Sequence, residues 1–224
     1  MISLVNQIPK ISLPLAEVVK INCAYNSYRD AALFWTQDET RAVISMLDGN
    51  MVIYNNNADI DELREFVGVI SPSSVFSDAK TLLALFGESF HEVCVVKCDK
   101  KFYCDNISDN VNSSEMYKLL NVEGLSLPSY EFFAVDFCHR LNHGELKYFA
   151  KKDLCAAIGI SDGQAVLING IASHQKGMGT AALEGLLSQY DITAIAVCEK
   201  EVMPFYLKNN FKHVYNAGYW RKNP

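Results

Sequence analysis

Apolar and polar residues follow two periods along this chain, and the second half shows them more regularly than the first. "LKYFAKK", "LCAAIGI" and "QAVLINGIAS" are short apolar runs between 146 and 173 that predict three strands, with "SDGQ" turning between the last two. Met178, Ala181, Ala182, Leu186 and Leu187 then recur at helical spacing and predict a helix over 177–189. "ITAIAVC" reads as a strand, "KEVMPFYLKN" as a helix and "FKHVYNAGYW" as a final strand. Upstream, "SYEFFAVDFCHRLNHG" turns helical towards its end and stops at Gly144, a residue suited to closing a helix.

The first half is read in the same way. Positions 16–35 carry helical spacing and predict one or two helices. "RAVISMLDGNMVIYN" predicts a hairpin, because two strand-like runs flank Asp48-Gly49, a dipeptide that accepts positive φ. "ADIDELREFVGVI" predicts a helix capped by Asp59, with Glu62 three residues on as in a capping box. "SSVFS" reads as a short strand, "DAKTLLALFG" as a helix ending near Gly87, and "HEVCVVKCD" as a strand. "NISDNVNSSEMYKLL" is polar before its helical end, and this weak stretch places a domain boundary near 120, giving regions 1–120 and 121–224. Both halves hold a strand hairpin beside helices, which suggests a distant duplication.

Composition narrows the function. The chain has 224 residues, 50% of them hydrophobic and 21% charged, enough for a substantial core and unlike a disordered chain. A formal charge of −6, with "KCDKK" at 97–101 as its densest basic stretch, argues against nucleic acid as a partner. The first twenty residues lack a long apolar run and carry prolines at 9 and 14, so neither a signal peptide nor a membrane span is expected. A cytoplasmic protein with reduced cysteines follows as the expectation.

No metal is expected. Cys94, Cys98 and Cys104 lie close together without a C-x-x-C knuckle, and buried thiols explain them better. Asp136, His139, Arg140 and His143 fall on one helical face, but no third ligand joins the two histidines. An ordinary surface helix, or a polar face lining an acceptor pocket, accounts for them.

The candidate chemistry sits in "GIASHQKGMGTAALEGLL" at 170–187. A strand that runs through two close glycines into a helix leaves backbone N–H groups free to meet an anion. The order of residues rules out the G-x-x-x-x-G-K-[ST] loop, since Lys176 precedes the first glycine of the pair. A dinucleotide fingerprint needs a third glycine, and position 182 is alanine.

"HQKGMG" resembles instead the Arg/Gln-x-x-Gly-x-Gly/Ala signature of the GCN5-related N-acetyltransferase (GNAT) superfamily, with His174, Gly177 and Gly179 in its first, fourth and sixth places. "PFYLKNNFKHV" resembles the family's "FYxxxGF" segment, with Tyr206 and Phe211 in matching positions. The resemblance covers roughly the C-terminal 100 residues. It implies an α/β (α+β) fold with a central mixed, mostly antiparallel sheet flanked by helices; the "RAVISMLDGNMVIYN" hairpin leaves open that the N-terminal α/β half is a degenerate GNAT-like copy. It also implies acetyl-CoA as co-substrate, with its pyrophosphate on the N–H groups of Gln175, Lys176, Gly177, Met178, Gly179 and Thr180 and its pantetheine along Ile171, Ala172 and Ser173. Tyr206 would protonate the leaving thiolate, and Glu199 is the candidate base.

The chain departs from the family pattern in four places. His174 replaces arginine or glutamine, the link from "INGIAS" to "HQKG" is short, Glu199 stands where many members carry asparagine, and Asn210 replaces a glycine. The expected partner is a small-molecule or peptide amine, with a cationic one favoured by the acidic balance and a homodimer left open. The competing expectation is a catalytically silent GNAT-like module that senses acyl-CoA or binds a protein. A third is structural, in which the N-terminal half completes one sheet with the C-terminal half.

Overall fold

The computed structural model describes residues 1–222. In chain order the elements are β1 (Ile2–Leu4), α1 (Ala16–Tyr28), β2 (Leu33–Gln37), β3 (Ala42–Leu47), β4 (Asn50–Asn55), α2 (Ile60–Ile70), β5 (Ser74–Asp78), α3 (Ala79–Phe86) and β6 (His91–Cys98). They continue with α4 (Ser113–Leu120), α5 (Tyr130–Asn142), β7 (Leu146–Lys151), β8 (Cys155–Ser161), β9 (Ala165–Ser173), α6 (Met178–Leu187), β10 (Thr193–Cys198), α7 (Met203–Lys208) and β11 (Lys212–Arg221). One succession occurs twice: three antiparallel strands, a helix, a strand parallel to the third, a short helix and a last strand. The first pass is β2 to β6 and the second β7 to β11.

These elements form two compact units that interleave in sequence. The first holds 1–96, 197–208 and 212–222 of the described residues; the second holds 97–196 and 209–211. The position near 120 expected as a boundary lies inside the second unit. The last strand belongs with the first ninety-odd residues.

In the first unit the strand order is β1-β2-β3-β4-β5-β11-β6. The β3–β4 hairpin turns at Asp48 (φ 50°) and Gly49 (φ 75°), both left-handed as a two-residue turn of this hand requires. β4 and β5 are parallel, joined across α2, and β11 lies antiparallel to β5. Strand alternation sends Ile44, Met51, Ile53 and Val75 to one face, where Leu63 and Val67 of α2 and Leu82 of α3 close the core. Phe76, of opposite parity, faces α1, and the Lys20 ammonium lies 4.8 Å from its ring centroid.

Two local expectations change here. The helical stretch ends at Tyr28, and Leu33–Gln37 is a strand, because "LFW" finds register partners on β3. Asp59 does cap α2, accepting from the N–H groups of Asp61 and Glu62. Glu62 does not return the bond: its carboxylate accepts from Gln37 Nε2 at 2.7 Å and from the Ile2 amide, so it holds β1 and β2 instead of closing a capping box.

In the second unit the order is β7-β8-β9-β10. α6 crosses one face, where a Cβ on Gly185 would lie 2.3 Å from Phe149 Cδ2, so only glycine lets helix and strand approach this closely. The other face carries α4 and α5, packed through the ring pairs Tyr117–Phe133, Phe133–Phe137 and Phe137–Tyr148. α4 begins with a complete capping box between Asn112 and Glu115. On α5, Arg140 bonds Asp136 at 2.9 Å and Glu145 at 3.3 Å, and the His139 and His143 rings lie 4.2 Å apart. The polar face of that helix thus carries one ion pair of its own and one to Glu145 beyond its end. No helix among the described residues is long and apolar enough to cross a membrane.

Candidate coenzyme site

β9 is irregular at one residue. Ile158 of β8 faces Gly170 and Gly159 faces Ile168, so Asn169 is an extra residue on β9. Such a bulge bends its strand and increases the twist. The parallel register with β10 runs from Ala165 to Ile168 and stops there. From Asn169 on, β9 keeps β8 as its partner through Ser173 while its β10 pairing has ended. The Asn-Gly pair inside an apolar run was the available sequence signal for this divergence.

The connection to α6 spans residues 174–177. Ser173 Oγ donates to the Gln175 carbonyl at 2.6 Å, and the Met178 N–H returns to that same carbonyl at 3.1 Å. Gly177 is the N-cap residue at φ 89°, a conformation glycine adopts without penalty. A Cβ placed there meets nothing within 4 Å, so backbone shape and not crowding calls for glycine. No side chain caps α6, and its first turn carries no acid. Ser173 to Gly177 are exposed, and Met178 to Thr180 half-buried. A helix start that is open, uncapped and free of acidic residues suits an anion.

The first repeat offers the contrast. The corresponding helix α2 starts with the Asp59 carboxylate on its N–H groups and has Asp61 and Glu62 in its first turn. That end is occupied and negative. β4 and β5 part after Val52 and Phe76, but Ser77 Oγ donates to the Ile53 carbonyl at 2.8 Å and Asn55 Nδ2 to Thr81 Oγ1 at 2.8 Å, filling the divergence with the chain's own groups.

His174 takes a different place from a phosphate donor. Its amide bonds the Leu154 carbonyl at 2.8 Å, and its Nε2 lies 2.9 Å from the Leu119 carbonyl, tying the loop to the end of α4. Sequence reasoning missed this link, because the spacing of 55 residues leaves no local trace.

Ile171, Ala172, Ser173 and Gln175 to Thr180 are brought together as one strand–loop–helix segment within the second unit. Tyr206 and Glu199 belong to the first unit. Tyr206 on α7 is 4% exposed, with the Phe205 ring edge-on at 5.2 Å, and burial raises the pKa of its phenol. Its hydroxyl therefore stays protonated across the working range. Glu199 is exposed and receives His91 Nε2 at 2.9 and 2.8 Å, one contact to each oxygen. Cys198 beside it is pushed up to about 12 by burial, with Cys94 adding to the shift, so neither thiol supplies a thiolate.

No family profile matches this sequence, and no curated protein is similar to it in sequence. Solved structures share the fold. A candidate acetyltransferase from Pyrococcus horikoshii superposes with a TM-score of 0.55 at 10% identity, over 92% of this chain and 78% of that one. A candidate acetyltransferase of the GNAT family from Novosphingobium aromaticivorans gives 0.53 at 8%, over 91% and 96%. A tandem GNAT protein from the clavulanic acid biosynthesis pathway gives 0.55 at 10%, over 97% and 91%. The fold is of the GNAT type, and at these identities fold is what the likeness shows. It extends over most of the chain instead of the last hundred residues alone.

Proposed function

We propose that the chain is a cytoplasmic N-acetyltransferase that moves an acetyl group from acetyl-CoA to a primary amine by direct attack. The observation that carries this reading is the bulge at Asn169, which parts β9 from β10 just before an uncapped, glycine-started helix. Gln175, Lys176, Gly177, Gly179 and Thr180 supply backbone N–H groups for the pyrophosphate, with Lys176 adding a positive charge, while the Met178 N–H is held by the Gln175 carbonyl and shapes the loop. Ile171 to Ser173 offer a strand edge to the amide groups of the pantetheine.

In this reaction the amine nitrogen forms a bond to the thioester carbon, the C–S bond breaks, the thiolate takes a proton from Tyr206, and the nitrogen gives up its remaining extra proton, which restores the phenol. Tyr206 is the acid by its place in the segment that resembles "FYxxxGF"; burial raises the pKa of its phenol, which keeps the proton available at neutral pH but makes its donation to the thiolate more demanding. The attacking ammonium must first lose a proton. His91 and Glu199 are the pair for that step, the imidazole accepting it and the carboxylate orienting the ring. The acceptor is a small-molecule or peptide amine.

The test is calorimetric titration with acetyl-CoA, followed by thiol release over a panel of amines. Saturable binding with turnover supports the proposal, and no heat at millimolar coenzyme overturns it. A second reading, a silent acyl-CoA-sensing module, is favoured by His174, which is committed to Leu119. Binding without turnover of any amine selects that reading.

A further inference from the structure

The first unit holds a buried acid that the transfer reaction leaves unused. Glu17, in the first turn of α1, is 3% exposed. The Tyr215 hydroxyl on β11 donates to its Oε2 at 2.5 Å and accepts the Ala16 N–H at 3.2 Å. Oε1 is buried and has no hydrogen-bond partner. Neither protonation state relieves it. Ionised, Oε1 lacks a donor; protonated, its hydroxyl lacks an acceptor, and a buried polar atom in either condition is costly.

The surroundings are those of a cation site. Asp78 and Lys20 act on Glu17 by charge, and Glu17 acts in the same way on Tyr54. Lys20, Tyr54 and Asp78 are all half-buried, so solvent reaches the groups around the acid. Asp78 is committed to the start of α3, where it accepts from the Thr81 N–H at 2.9 Å. The Lys20 ammonium stands 4.8 Å from the Phe76 centroid and 5.9 Å from that of Tyr219, over ring faces that attract positive charge. Tyr54 and Asp78 follow the last paired residues of β4 and β5, where those strands part. Coenzyme is not suited to this divergence, because Asp59 closes the helix start beside it.

We propose that this cluster is a binding site for a small primary alkylammonium ion, which donates an N–H to Glu17 Oε1 and lies against Phe76 and Tyr219 where Lys20 now stands. The ligand binds without being acetylated, so this site is separate from the transfer reaction. Lys20 is its internal competitor.

The full chain, with no coenzyme present, is titrated with n-butylammonium chloride and with tetramethylammonium chloride at matched ionic strength, read by calorimetry and by two-dimensional NMR. Saturable binding of n-butylammonium is expected, with tetramethylammonium bound far more weakly because it has no N–H to give. Glu17→Gln should weaken binding about tenfold or more, the worth of a hydrogen bond to a charged group. Lys20→Met should tighten it by removing the competitor. Absence of saturable binding, equal binding of both cations, or unchanged affinity in Glu17→Gln overturns the proposal. If Glu17→Gln does not fold, Lys20→Met decides, and unchanged or weaker affinity in that variant overturns it. The outcome is independent of the transferase reading, since no acetyl donor enters the experiment.

Discussion

Gly177→Asp tests the coenzyme site by giving α6 the charge that α2 already carries. The backbone sets the cost. Gly177 sits at φ 89°, ψ −20°, where an L-residue is strained by about 1–2 kcal/mol, and aspartate is among those that tolerate it best. No clash adds to this, because a Cβ there meets nothing within 4 Å. No cap offsets it either: Asp59 caps α2 from an extended backbone at φ −72°, ψ 108°, and position 177 does not have that shape. In a chain of this length a melting point lower by roughly 2–8 °C follows.

Affinity should change far more than stability. A carboxylate about 5 Å from one phosphate charge, at an effective dielectric constant near 20, repels it by about 3 kcal/mol. That is on the order of a hundredfold in dissociation constant. Calorimetric titration of coenzyme A into the variant measures it. The paired control is Asp59→Ala, which should cost about 1 kcal/mol for the lost cap and leave coenzyme affinity unchanged. A Gly177→Asp protein that melts as expected yet binds coenzyme A like the wild type would refute the placement of the pyrophosphate on α6.

Three further outcomes are expected. Tyr206→Phe should keep coenzyme affinity while turnover of an identified amine falls by roughly 10²–10⁴-fold, and full turnover with a lowered melting point would make the hydroxyl a core group instead. Residues 121–224 expressed alone should show no cooperative urea transition, because β11 loses its β5 partner, Tyr219 loses Phe76 and Trp220 loses the Phe86 ring stacked at 4.4 Å. Burial raises the pKa of Glu17 above its ordinary 4.5 against the opposing Tyr215 hydrogen bond, so its contribution is fully present below that value and is lost as pH rises through the raised one. Glu17→Gln should therefore gain stability relative to the wild type as pH climbs from about 4.5 towards neutrality, and parallel melting curves over that range would contradict it.

Much of the local structure was legible in the sequence. Period and turn chemistry predicted the Asp48-Gly49 hairpin, the three strands before α6 and the helix after Gly177, because each depends on neighbours a few residues apart. The two motif blocks pointed to a GNAT fold although no profile matches the chain. Contacts over long spacings were not legible. Glu62 could close a capping box or hold β1 and β2, and only the meeting of Gln37 with it decided between them. His174 has no local mark of its bond to Leu119. Leu33 to Trp35 continued a helical pattern until β3 offered register partners. The pairing of β11 with β5, which gives the last strand to the first unit, is likewise a tertiary choice. Side-chain period records which face of an element is apolar; which distant edge or carbonyl that face meets is settled only when the chain packs.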